Sequence, residues 1–157
     1  VEAAAGARVP GGHDHIVVAG PQLDEDRFVR AQALAGPSTT VVRSCPGLAH
    51  RIREAAAVVA MGGYNTVCEI LATSTPALIV PREKPRLEQA IRARALSRAS
   101  AIDTARQQAA TPDLLSQWLA GAVRSRTDRS HVELGGLAAA ARAATRLLTR
   151  TPEGEPA

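Results

Sequence analysis

A chain of 157 residues is long enough for one domain with a hydrophobic core of its own. Apolar residues reach 45% while aromatics stop at 2%, so the core is aliphatic and the stacking platforms that bind single-stranded nucleic acid are nearly absent. The formal charge of +4 is carried by arginine, with Lys84 the sole lysine, which favours forked contacts to phosphate or carboxylate; nucleic acid is not an expected partner.

Cys45 and Cys68 lie far apart with no paired spacing, as in a reduced cytoplasmic protein. No apolar run approaches the roughly twenty residues that span a membrane. Val1 to Ala5 lack an initiator methionine and a signal-peptide pattern, and their helix-like composition reads as the later part of something longer.

In chain order, residues 2–8 read as the end of a helix closed by Gly6 or by Pro10-Gly11-Gly12. His15 to Gly20 is a short apolar strand expected to be buried on both faces. Residues 22–34 are helical, with Leu23, Phe28, Ala31 and Leu34 available for one side, and Gly36-Pro37 stops them. Thr39 to Arg43 is the next strand, leading into the loop Ser44-Cys45-Pro46-Gly47 and a short helix from Leu48 to about Ala55. Ala57 to Met61 is a buried strand that runs into Gly62-Gly63 and a further helix. Pro76 to Pro81 is another strand, and Leu87 to Ala99 another helix with Leu87, Ile91 and Leu96 facing inward. Ala101 to Asp103 is a short edge strand. Thr111-Pro112-Asp113 opens a helix with a cap, a first-turn proline and an acid near the dipole. A last helix covers 137–149, and 151–157 is expected to be a disordered tail.

Apolar strands alternating with helices predict an α/β fold, a Rossmann-like parallel sheet with helices on both faces, as a single domain over 1–150. Ligands of such sheets bind beyond the carboxyl ends of the strands, where the loops at Gly20, at 43–47, at 61–66 and at 81–86 can share one crevice.

The strand-to-helix junction at Gly62-Gly63-Tyr64-Asn65-Thr66 can hold a diphosphate on backbone N–H groups and the Thr66 hydroxyl, or be a tight turn and no more. It is neither a Walker loop, since no lysine follows, nor the dinucleotide fingerprint, since the spacing is wrong. Glu69 completes Thr66-x-x-Glu69, which fits a capping box; the other reading sets its carboxylate against the two hydroxyls of a ribose. Arg82, Lys84 and Arg86 form a solvated basic loop or offset the charge of a leaving diphosphate. Glu88 and Gln89 serve the helix dipole or sugar hydroxyls. His13-Asp14-His15 is too small a set for a metal, His50 and His131 read as surface or capping residues, and Trp118 as core. Arg142, Arg146 and Arg150 make a stripe that is solvated, or that meets another domain or anionic lipid.

Met61 to Leu71, then Pro76 to Arg82, then Glu88-Gln89-x-Ile91-Arg92-Ala93 together strongly resemble the family-28 glycosyltransferases, over roughly residues 15–105. More narrowly they resemble the C-terminal, donor-binding domain of the GT-B fold, in the variants whose loop reads Gly-Gly-Tyr-Asn-Thr. The resemblance implies inverting transfer from a nucleotide diphosphate sugar, with a UDP-sugar favoured, and without a metal or other cofactor. It sets Gly62, Gly63, Asn65, Thr66 and Arg82 against the diphosphate and Glu69 against the ribose. The Cys45 backbone would meet the base edge, and Glu88 and Gln89 the donor sugar. It also implies an N-terminal acceptor domain in the same chain, carrying the general base, and an enzyme at work in the cytoplasm or peripherally at the inner membrane face. The first strand and glycine-rich loop of such a domain have no counterpart before His15, and this piece alone is expected to be inactive. A sugar-nucleotide epimerase or hydrolase of the same architecture, or a non-catalytic binding module, are the alternatives.

Overall fold

The computed structural model describes residues 1–83 and 87–149. Lys84 and Arg86 of the basic loop, Arg150 of the arginine stripe and the expected tail at 151–157 lie outside the described residues.

The elements follow the predicted alternation: α1 (Glu2–Ala5), β1 (His15–Val18), α2 (Glu25–Leu34), β2 (Thr39–Val42), α3 (Leu48–Glu54), β3 (Val58–Ala60), α4 (Tyr64–Leu71), β4 (Ala77–Ile79), α5 (Glu88–Arg98), β5 (Asp103–Thr104), α6 (Pro112–Ala122) and α7 (Gly136–Thr149). All strand pairs are parallel. Among the described residues they form not one continuous sheet but two pieces, β1–β2 and β3–β4–β5.

Side-chain alternation along β4 fixes the two faces. Ala77 and Ile79 join Ile52, Val67, Ile70, Ala93 and Ile102, so α3, α4 and α5 cover one face. Leu78, between them, points the other way into Leu115 and Leu119 of α6. On that second face Val17 and Val41 pack against Ala5 of α1 and Ala31 of α2. Ala4 of α1 packs against both clusters of this face, so α1 lies between α2 and α6. The small volume of alanine at Ala4, Ala5, Ala31, Ala90 and Ala93 is what lets helices sit close to a sheet with almost no aromatic filling.

Several inward assignments fail. β1 is not buried on both faces: only Val17 is covered, and Ile16 and Val18 are exposed on the side away from α2. Leu34 is 54% exposed, and in α5 Leu87 and Ile91 are more than half exposed, whereas Ala90 and Ala93 face the core. Periodicity weighted by side-chain size picks the leucines and isoleucine; close helix–sheet packing selects the alanines instead. Trp118 is half-buried against the Leu78 cluster, and its indole donates to Asp103 Oδ2 at 2.7 Å.

The cap of α6 is as predicted: Thr111 Oγ1 accepts from the Leu114 amide at 3.2 Å, with Pro112 in the first turn. The polar stretch after α6 carries an unforeseen anchor. Arg129 is buried and donates to the carbonyls of Ala101 (2.6 Å), Thr73 (2.7 Å) and Thr75 (2.9 Å). His131 caps the end of α5 through Ala99 O at 2.7 Å, and His50 pairs with Glu54 at 3.2 Å, both in keeping with their predicted ordinary roles.

Candidate functional site

β3 ends at Ala60 and α4 begins at Tyr64, with Gly63 as its N-cap and the Val67 amide donating to Gly63 O at 2.9 Å. Gly62 has φ +83°, and a Cβ on it would stand 2.8 Å from Ile79 Cγ2. Both the left-handed turn and the contact with β4 therefore require glycine there. Around Gly63, by contrast, a Cβ would meet nothing within 4 Å.

Among the described residues no side chain caps this helix. The amides of Tyr64, Asn65 and Thr66 have no carbonyl four residues back inside the helix, so they stay available at the positive end of its dipole. Asn65 is exposed, Thr66 half-buried. The capping-box reading is overturned: Thr66 is the third residue of α4 rather than its cap. Glu69, half-buried, makes no hydrogen bond or ion pair among the described residues.

The turn is held from α5. Arg92 Nη1 donates to Gly62 O at 3.1 Å, and its guanidinium lies 5.4 Å from the centroid of the Tyr64 ring. Sequence reasoning assigned Arg92 no role. It stands inside the Glu88 to Ala93 motif, but an arginine on a helix reads as a solvated cation until the fold brings Gly62 within its reach.

The loop after β4 approaches the same edge. Its first strand bond, Val80 N to Ala60 O at 2.8 Å, ties it to the end of β3. The Arg82 amide donates to Gln89 Oε1 at 3.1 Å, so the Gln89 side-chain carbonyl is occupied in closing the loop, while its NH₂ has no partner among the described residues. Arg82 and Glu88 are exposed, Glu88 as the first residue of α5.

A second pair of loops is joined by Arg43 at the end of β2. It donates to Leu23 O at 2.8 Å, pairs with Glu25 and stacks 4.3 Å from the Phe28 centroid. Cys45, two residues on, is half-buried; its thiol, outside any disulfide, donates to Pro46 O at 3.9 Å, and its main-chain N–H and carbonyl make no backbone hydrogen bond among the described residues. Arg43 thus ties the β1–α2 loop to the β2–α3 loop, and Arg92 ties the β3–α4 turn to α5. Two shallow cavities of about 320 and 340 Å³ are present, the first beside the loop after β4, lined by Glu83, Leu87, Ile91 and Arg94, the second along Arg8 and Ser116.

Among the described residues no group of three or more His, Cys, Asp or Glu could hold a metal, and no helix is long and apolar enough to cross a membrane.

The sequence profile of the glycosyltransferase family 28 C-terminal domain matches residues 15–145. Among solved structures, the crystal structure of Acinetobacter baumannii MurG is similar, with a TM-score of 0.63 and 21% identity. The match covers 85% of this chain and 40% of that one, so the chain spans well under half the length of MurG. At that identity the likeness speaks to the fold, a Rossmann-like half of a GT-B architecture. Among curated proteins there is no significant match.

Proposed function

Since the chain belongs to the glycosyltransferase family 28 C-terminal domain family, we propose that it is the donor-binding half of a glycosyltransferase, taking a nucleoside-diphosphate sugar, with UDP as the nucleotide. The observation that carries this reading is the uncapped amino end of α4, set behind a turn that only glycine can make. Its free amides suit the diphosphate, together with Gly62, Gly63, Asn65, Thr66 and Arg82. Glu69, without a partner among the described residues, takes the ribose hydroxyls as a pair of acceptors. The backbone at Cys45 meets the base edge, and Glu88 with the Gln89 amide group meets the sugar.

In the reaction an acceptor oxygen bonds to the anomeric carbon from the side opposite the diphosphate, and the bond from that carbon to the diphosphate oxygen breaks, inverting the configuration. The acceptor proton passes to a general base supplied by an N-terminal acceptor domain. Charge that builds on the departing diphosphate is met by the α4 amides and Arg82, so the proposal assigns this step no metal. The enzyme would work in the cytoplasm, peripherally at the inner membrane face if its acceptor is lipid-borne. This chain alone would bind the donor without transferring it.

Thermal melts with UDP, GDP, ADP and UMP test the reading. A nucleoside diphosphate at a hundred times its dissociation constant adds about 2.7 kcal/mol, which at this size is roughly 5–10 °C. UDP is expected to give that rise and UMP little of it; no response to any diphosphate would refute donor binding.

A further inference from the structure

Arg43 is the first residue past β2, and its side chain is held by the neighbouring β1–α2 loop and by α2 itself. Nη1 donates to Leu23 O at 2.8 Å, Nη2 pairs with Glu25, and the guanidinium stacks on Phe28, the single phenylalanine of the chain. These anchors are not equal. The Glu25 side chain is 73% exposed, so water screens its ion pair. The Leu23 carbonyl and the Phe28 ring, on half-buried residues, do most of the fixing.

The loop that follows has little to hold it from within. The main-chain N–H and C=O groups of Ser44 and Cys45 have no partner among the described residues. Gly47, at φ +69°, then turns the chain into α3, where its carbonyl accepts from the His50 amide at 3.0 Å. Main chain without hydrogen bonds between a strand and a helix samples several positions unless something outside it sets its place. Here the Arg43 clasp stands immediately before it.

The place of that main chain decides which base it can meet. One residue's N–H and C=O offer one donor and one acceptor. Uracil answers them with O4 and N3–H, adenine with N1 and N6–H, so hydrogen bonding alone does not separate a pyrimidine from a purine. Reach does. A purine carries its pairing edge one ring farther from the sugar, so a loop fixed at one distance from the α4 amides fits one class of base.

Resting on the donor reading above, we propose that Arg43 sets the base specificity of the site. It is a positioning residue, which holds the Cys45 main chain at the distance a pyrimidine spans without touching the nucleotide itself. The specificity of the β2–α3 loop is thereby built into the β1–α2 loop and Phe28, to which Arg43 is fastened.

The test is calorimetric titration of the 157-residue chain and its variants with UDP and ADP. Wild type is expected to prefer UDP by roughly tenfold, the worth of one or two main-chain hydrogen bonds to the base. Arg43→Ala should bring UDP down to the affinity of ADP while ADP itself is unmoved, because diphosphate and ribose are held at α4. Arg43→Lys still reaches Leu23 O but cannot lie flat on Phe28, and should keep part of the preference. Glu25→Gln should keep nearly all of it. A preference that survives Arg43→Ala would overturn the proposal, as would UDP and ADP weakening together, the mark of a general structural role. A wild type with no preference for UDP would overturn it too, yet leave the diphosphate reading standing. Binding of neither nucleotide would bring down the donor reading itself, and this inference with it.

Discussion

Arg92 on α5 donates to the carbonyl oxygen of Gly62 at 3.1 Å, across thirty residues of sequence, and lies against the Tyr64 ring. The bond fixes one end of the turn whose other end presents the α4 amides. Arg92→Ala is expected to cost roughly 1–2 kcal/mol in stability, as loss of a charged hydrogen bond and a cation–π contact, and to weaken diphosphate binding. Arg92→Lys should recover part of the stability, because an ammonium can still reach the carbonyl, while losing the flat stacking on Tyr64. Urea melts with UDP titrations would read both; an alanine variant with unchanged affinity would separate the turn from the ligand.

Glu69 lies on α4 with no partner among the described residues. Glu69→Gln is therefore expected to change stability by less than about 0.5 kcal/mol, the range of an unengaged surface position. The same variant should lose the preference for UDP over 2′-deoxy-UDP that a carboxylate bridging two hydroxyls creates. If wild type shows no such preference, Glu69 has another role.

Arg129 is 7% exposed, and its guanidinium bonds to three backbone carbonyls with no carboxylate paired to it among the described residues. It fastens the segment after α6 to the turn after α4 and to the start of β5. Arg129→Met would leave those carbonyls dry and unpaired, at a cost of roughly 2–4 kcal/mol in a urea melt. A loss within the surface range would mean that water replaces the guanidinium.

His15 is half-buried at the start of β1, with Nδ1 3.2 Å from Thr39 Oγ1, and burial lowers its pKa from the ordinary 6.5. Between the lowered folded value and 6.5 the unfolded chain binds more protons, so stability rises with pH across that window. Acidification through it should destabilise the protein, and His15→Gln should flatten that part of the profile. Melts from pH 7.5 to about 5 check this; equal slopes in both proteins would place His15 outside the effect.

Much of the fold was legible because its signals are local. Thr111-Pro112-Asp113 set a helix start by its own hydrogen bonding, and apolar runs bounded by glycine and proline marked the strands to within a few residues. The glycine pair was legible too, since Gly62 answers a local need for a positive φ. What escaped depends on partners distant in sequence. The roles of Arg92 and Arg129 exist only once Gly62, Thr73 and Ala101 are brought alongside. The inward turn of Ala90 rather than Ile91 reflects the close approach of α5 to β4. Thr66 looked like a cap because its spacing to Glu69 was right, but the helix starts at the earlier glycine, where the chain leaves its extended path. The division of the strands into two pieces is not a local property at all, since it depends on which strands pair across the fold.

The claim on which the functional account turns is that a diphosphate rests against the amino end of α4. It is tested most directly by titrating the ¹⁵N-labelled chain with UDP and following each backbone amide. The account predicts saturable shifts greatest at Gly63, Tyr64, Asn65 and Thr66, with UMP moving them far less. Saturable binding whose largest shifts fall elsewhere, with these four amides unmoved, would contradict it.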